Sequence, residues 1–262
     1  MATGVLVVLL GQATKLASYL SQGGKTYQGA LELGRETDTY DIQGTVTRTA
    51  SWKHICAEQV QREIMHWSML DEQIVPPYSA AKHQGKTLYS LARSGRDVPV
   101  KTKPVTIDQV QVLHVELPRV SFRIHCSVGT YVRSLAHSLG KRLGCGAVLT
   151  SLIREESAPF TMQQAHSLEQ VLADPDGFAD KIIPLEESLP AWPKLRTSKI
   201  QAEQIQNGAW IAVEELPDWT PTQPGQKALL LSPQGNALAL VETQSHQTGM
   251  YWAVLRGLWA KQ

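Results

Sequence analysis

The sequence predicts a mixed α/β domain followed by a small β domain, and three observations carry that prediction. Apolar residues alternate with polar ones through Lys25–Leu33, Val105–Leu117 and Val120–Val128, the period of half-buried strands. Between and after them, Ala57–Trp67 and Thr130–Leu143 space their apolar residues as helices do. Residues 194–262 are different in kind: turn-rich, with short apolar strands such as Ala228–Leu231 and Ala237–Val241. At 42% apolar and 19% charged residues, the 262-residue chain can bury a core and has no disordered character.

Taken in order, the elements follow from local chemistry. Val5–Leu10 is the longest apolar run and reads as a buried strand; it is far short of the ~20 residues a membrane span needs. Gln12–Leu20 places Ala13, Leu16, Ala17 and Leu20 on one helical face. Gly23-Gly24 turns the chain into Lys25–Leu33, where Tyr27, Leu31 and Leu33 share a face. The polar loop Gly34–Gly44 follows, with Asp38 and Asp41 as turn formers. Val60, Ile64 and Trp67 point inward from the next helix, and Val75-Pro76-Pro77 forces an extended segment. A short helix at Thr87–Ser94 turns Leu88 inward and Lys86, Arg93 and Arg96 outward. Val120, Phe122, Ile124, Cys126 and Val128 share one strand face; Val132, Leu135, Leu139 and Leu143 line the best helix, and Gly144 sits where a C-terminal cap belongs. Ser167-Leu168-Glu169-Gln170 is a capping box that opens a helix to Ala173. Pro184, Pro190 and Pro193 mark a linker, and Trp210, Trp252 and Trp259 are expected in the core of the small domain.

Charge is unevenly distributed. Residues 78–154 carry twelve basic and three acidic groups, whereas residues 155–190 carry one and eight. The chain's net charge of +1 therefore conceals a basic middle suited to a polyanion. The three cysteines, Cys56, Cys126 and Cys145, form no CxxC pair, which argues against a disulfide framework or a zinc site and fits a reducing cytoplasm. There is no GxGxxG, P-loop, HExxH or GxSxG, so no cofactor and no metal is expected. His125 and His137 read as packed or solvated side chains.

Four loop-borne clusters remain. They are Ala2-Thr3-Gly4-Val5-Leu6; Gly24-Lys25-Thr26-Tyr27 with Thr37–Gly44; Val75–Lys86, which includes Pro76-Pro77-Tyr78-Ser79-Ala80; and Cys126-Ser127-Val128-Gly129-Thr130-Tyr131-Val132-Arg133. In order and spacing they resemble the tRNA pseudouridine synthase B (TruB) family over residues 1–160, and residues 194–262 resemble, more weakly, a PUA-type RNA-binding module. The resemblance implies a pseudouridine synthase fold on a central, mainly antiparallel sheet, with residues 161–193 as an acidic helix and linker. It implies a cofactor-free isomerase that converts uridine 55 in the T arm of tRNA to pseudouridine: an aspartate attacks the flipped nucleotide, and the base detaches, turns and rejoins through carbon. The partner implied is tRNA, with no membrane, and the chain is expected to be a monomer.

By the same resemblance, Tyr27 stacks on the flipped uracil and Arg133 pairs with the catalytic aspartate. Tyr131 packs beside the site, Leu152 closes its apolar wall, and Lys15 matches a position near the site. Lys82, Lys86 and Arg93 are expected to face RNA. A base held inside a folded arm must be extruded to be reached, an aromatic on a rigid strand receives any base, and an arginine keeps a buried carboxylate ionised. The family's nucleophile lies in a Gly-Thr-Leu-Asp-Pro-like segment, which aligns so that the aspartate falls two positions before Met1. The expectation is therefore that Met1 is an internal position of the motif, that Arg133 lacks its partner in this chain, and that the sequence as given is inactive. The alternative is a non-catalytic tRNA-binding or tRNA-folding module.

Overall fold

In the computed structural model, residues 2–259 are described, so Met1, on which the expectation about the start rests, lies outside them. The chain divides into two compact units: residues 1–7 with 22–165, and residues 8–21 with 166–262. The strands of the first unit include β1 (Ala2–Gly4), β2 (Lys25–Leu33), β3 (Glu72–Ile74), β4 (Thr102–Pro104), β5 (Ile107–Glu116), β6 (Arg119–Cys126), β7 (Ala147–Ser157) and β8 (Phe160–Thr161). Its helices are α1 (Ala57–Met65), α2 (Leu88–Arg93) and α3 (Val132–Arg142).

The main sheet runs β1-β7-β2-β6-β5, with β8 on β7. Only the β1–β7 pair is parallel, so the sheet is mixed and mainly antiparallel, as the sequence predicts. Leu31, Leu33, Phe122, Ile124 and Leu149 from the sheet form one buried core with Val60, Ile64 and Trp67 from α1 and its continuation, and with Leu135 and Leu139 from α3. The ring of Phe122 meets Trp67 edge-on at 5.0 Å and lies over Gly29, where a Cβ would come within 2.6 Å of the ring. Gly144 has φ +75° and caps α3 as expected.

Three expectations change. Val5–Leu10 is not a strand: the ladder with β7 ends at Gly4, and Leu6 and Val8 are 75% and 70% exposed. Val5 is buried and its N–H still donates to the Arg154 carbonyl at 2.8 Å, but apolarity alone does not carry the ladder past that point. Gly4 itself is required, because its φ is +95° and a Cβ there would come within 2.3 Å of the Arg154 carbonyl oxygen. Val128 lies beyond the end of β6 and is exposed. The third change concerns Trp210, treated with the second unit.

The second unit holds β9 (Lys194–Arg196), α4 (Lys199–Gln206), β10 (Ile211–Ala212), β11 (Lys227–Leu231), β12 (Ala237–His246) and β13 (Gly249–Gly257), in the sheet order β9-β11-β12-β13-β10. Its core joins Leu195, Ile205, Leu230, Val241 and Trp252, with Trp259 packed against it. Trp210 is instead 47% exposed, its ring near His246 and Tyr251, because it precedes the two-residue strand β10 at the sheet's edge. Ser167 and Gln170 form the expected capping box of the helix Leu168–Ala173.

Candidate active site

An open pocket of about 260 Å³ in the first unit is lined by Ala2, Tyr27, Asp41, Gln43, Thr130, Tyr131, Val132, Arg133, Leu149 and Leu152. Each comes from a different local cause. β2 carries Tyr27 and β7 carries Leu149 and Leu152, with Leu152 opposite Gly29 and Ala2. Tyr131 is the extended N-cap residue of α3 (φ −95°, ψ 99°), and Arg133 stands in that helix's first turn. The loop Thr37–Gly44 supplies Asp41.

That loop is held on several sides. Leu149 N–H donates to the Tyr40 carbonyl at 3.1 Å and Ile42 N–H to the Leu149 carbonyl at 2.9 Å, which stitches it to β7. The Asp41 carboxylate accepts from Thr39 Oγ1 at 2.8 Å and from Gln43 N–H at 3.1 Å. Tyr40 has φ +67°, a conformation that costs a non-glycine residue of the order of 1–2 kcal/mol. Its ring stacks on His137 of α3 at 3.7 Å and 9°, which offsets part of that cost. Burial pushes the Tyr40 phenol above its usual range and, together with Lys141, the His137 imidazole below it.

Arg133 is the hub. Its Nη1 lies 3.6 Å from the Asp41 Oδ2 and donates to the Thr39 carbonyl at 3.4 Å; its Nη2 donates to the Tyr78 carbonyl. Its guanidinium also lies 6.0 Å from the Tyr131 ring centroid. The expectation that Arg133 lacks a partner in this chain is thus corrected: Asp41 faces it. Asp41 is more than a turn former, whereas Asp38, whose Oδ1 accepts from Thr45 N–H at 2.8 Å, keeps that role. Burial raises the Tyr27 phenol, opposed in part by a hydrogen bond from Arg154. Arg154 Nε donates in turn to the Val5 carbonyl at 2.6 Å, tying the end of β1 to the pocket.

The structure brings Tyr27, Tyr131, Arg133 and Leu152 together and leaves the other four expected residues outside. Lys15 belongs to the second unit, where its ammonium donates to the carbonyls of Gly257 at 2.8 Å and Trp259 at 3.0 Å. Lys82 and Lys86 lie on a small hairpin and Arg93 ends α2, bonded to the Tyr89 hydroxyl at 3.2 Å; none of them lines the pocket. Among the residues that sequence reasoning missed are Asp41, which lines the pocket, and Gln73, which does not line it but bonds the backbone of Tyr131. The Gln73 signal is a lone amide in a three-residue strand whose flanking residues are exposed while it is buried.

The comparisons with known proteins follow this geometry. Solved structures of similar fold include Cbf5 in a Cbf5-Nop10-Gar1 complex, with a TM-score of 0.70 at 20% identity, covering 98% of this chain and 73% of that one. An H/ACA RNP bound to a substrate RNA containing 2′-deoxyuridine matches with a TM-score of 0.67 at 19% identity, covering 99% and 73%. The fold is therefore the one these structures share. The N-terminal domain of TruB family pseudouridylate synthases matches residues 1–132, and the tRNA pseudouridylate synthase B C-terminal domain matches residues 133–189. The tRNA pseudouridine synthase B of Oleidesulfovibrio alaskensis is 53% identical over 262 residues, covering 99% of this chain and 84% of its own length. That of Syntrophotalea carbinolica is 40% identical over 243 residues, covering 92% and 78%. The chain belongs to the TruB family of tRNA pseudouridine synthases, which are isomerases.

Proposed function

We propose that this pocket receives uridine 55 of the tRNA T arm, flipped out of its stack, and is built to convert it to pseudouridine. The observation that carries this reading is the convergence, around one open cavity, of an aromatic on a rigid strand (Tyr27), an aliphatic wall (Leu149 and Leu152) and an arginine already engaged with a carboxylate (Arg133). Tyr27 receives the face of the extruded base, and Leu152 keeps water from it. In the reaction the bond from the ribose C1′ to uracil N1 breaks, the uracil turns, a bond forms from C1′ to C5, and the C5 proton leaves while N1 takes up a proton, so the product is an isomer of the substrate. A carboxylate holds the ribose end meanwhile, and a guanidinium beside that carboxylate keeps it ionised and aimed. The resemblance aligns the family's nucleophile two positions before Met1, and the presence of Ala2 in the pocket lining supports a carboxylate reaching the same rim.

The basic segment 78–103, with Lys82, Lys86 and Arg93, is read as the surface that meets the phosphates of the arm, and the second unit's sheet as a PUA-like accessory to tRNA binding. The test is tritium release from 5-tritiated uridine in a T-arm transcript. The sequence as given is expected to bind the transcript without releasing tritium. The same chain preceded by a Gly-Thr-Leu-Asp-Pro segment is expected to release it, and changing that aspartate to asparagine to stop release while keeping binding. Release from the 262-residue sequence itself overturns the assignment of the nucleophile. Binding without release from both chains favours the non-catalytic tRNA module.

A further inference from the structure

One buried amide is not used by any step above. Gln73, at the centre of β3, is 7% exposed, whereas Glu72 and Ile74 on either side are exposed. Its side chain bonds both backbone groups of a single residue: Tyr131 N–H donates to Gln73 Oε1 at 2.5 Å, and Gln73 Nε2 donates to the Tyr131 carbonyl at 3.3 Å. The backbone N–H must donate and the carbonyl must accept, so the orientation of the amide is fixed by chemistry. The side chain thereby imitates a neighbouring β-strand and holds Tyr131 extended at the point where α3 begins. Accepting the N–H of the N-cap residue is what the N3 side chain does in a capping box, while the Tyr131 carbonyl also accepts from Ser134 N–H at 3.0 Å in the first turn of the helix.

The two ends of this contact differ in what they carry. On one side, β3 pairs with β4 through Gln73 and Lys103, and together these strands close the foot of the basic segment, since Val75 N–H donates to the Lys101 carbonyl at 2.8 Å. On the other, Tyr131 lines the pocket and Arg133 follows it by two residues, its guanidinium reaching back to the Tyr78 carbonyl just beyond β3.

We propose that Gln73 is a positioning residue that locks the foot of the basic segment to the pocket wall, so that the Tyr131 ring and the Arg133 guanidinium stand in a fixed register with RNA held on that segment. This rests on the proposed reading of the basic segment as the RNA-facing surface. Gln73 touches neither base nor nucleophile; it acts through Tyr131.

The experiment uses the full chain and the substitutions Gln73→Met and Gln73→Glu. Methionine fills the same space without an amide; glutamate keeps an acceptor for Tyr131 N–H and loses the donor to its carbonyl. Two quantities are read: hydrogen-exchange protection of the Tyr131 amide by NMR, and affinity for a T-arm RNA hairpin against an unrelated hairpin of equal length. Gln73→Met is expected to expose the Tyr131 amide to exchange and to weaken T-arm binding roughly five- to tenfold, the loss of one or two hydrogen bonds. Gln73→Glu is expected to leave that amide protected. A residue that only fills space predicts that Gln73→Met matches wild type in both measurements, and that result overturns the proposal, as does an unprotected amide in Gln73→Glu. If wild type binds the T-arm hairpin no better than the unrelated one, the proposed function fails, and the positioning role for RNA fails with it even where the Tyr131 amide responds as expected.

Discussion

Replacing Asp41 by asparagine removes one charge from the pocket and little else, which makes the cost of that charge measurable. Arg133 and Asp41 keep only 22% and 12% of their side chains exposed and stand 3.6 Å apart. At the effective dielectric of about 20 that suits partly buried pairs, their attraction is about 4–5 kcal/mol before any opposing term. Two effects reduce it. Asparagine no longer carries a carboxylate that must be kept from water, and the guanidinium retains the Thr39 and Tyr78 carbonyls as acceptors. The net loss in Asp41→Asn is therefore about 1–3 kcal/mol. Asparagine can still accept from Thr39 Oγ1 and Gln43 N–H, so the turn survives; Asp41→Ala loses those two bonds as well and should cost about 1 kcal/mol more for each. Urea unfolding reads both, as shifts in midpoint at an unchanged m value. If Asp41→Asn falls within about 0.5 kcal/mol of wild type, a difference ordinary for surface sites, the ion pair contributes nothing and the account of Arg133 as a charge-held hub is wrong. If the two variants are equal, the turn hydrogen bonds are the part that fails.

Changing Lys82, Lys86 and Arg93 together to alanine should lower the log–log salt slope of T-arm binding by about 2–3, and an unchanged slope in a filter-binding titration shows that these side chains meet no phosphate. Lys15→Met should destabilise the second unit by about 1–3 kcal/mol through its two lost carbonyl bonds while leaving RNA affinity unchanged; a fall in affinity with no loss of stability would return Lys15 to the RNA site. His137 resists protonation in the folded state, chiefly by burial, so below pH ~6.5 the unfolded chain takes up a proton that the folded chain refuses, and stability falls as the pH drops. His137→Phe keeps the ring against Tyr40 and should flatten that fall; equal losses of stability from pH 7.5 to 5.5 in the two proteins would refute the desolvation argument.

The fold was legible wherever one periodicity ran unbroken. Lys25–Leu33 and the α3 helix could be read directly, because in each case a single period places one face inward over its whole length. β7, the longest strand, went unread although it joins β1 to β2 at the heart of the sheet. Its alternation is interrupted twice, at Leu149/Ser151 and Arg154/Glu156, where bulges shift the register against β2 and move the inward side chains to the other parity. Val5–Leu10 failed in the opposite way: the composition of a buried strand is present, but the ladder stops at Gly4 and Leu6, Val8 and Leu10 face water.

The site divides along a similar line. Tyr27, Tyr131 and Arg133 were reached through motifs, since each stands in a stretch whose order matches a family, and Leu152 through the wider resemblance. Asp41 was hidden by its likeness to Asp38, three residues earlier in the same loop, for both accept backbone N–H bonds as turn aspartates do. What separates them is that Leu149, more than a hundred residues further on, bonds Tyr40 and Ile42 on either side of Asp41 and so aims that carboxylate at Arg133, while Asp38 braces Thr45 and meets the Tyr78 phenol. Gln73 was hidden for the same reason, because its partner is a backbone, and a backbone has no signature in a sequence. Both missed residues hold something else in place. A chain read one stretch at a time can name the groups that touch a base, since their chemistry is their own. The groups that aim them are defined only by what they face, and for Asp41 and Gln73 that means Arg133 and Tyr131, each at a separation that no local period spans.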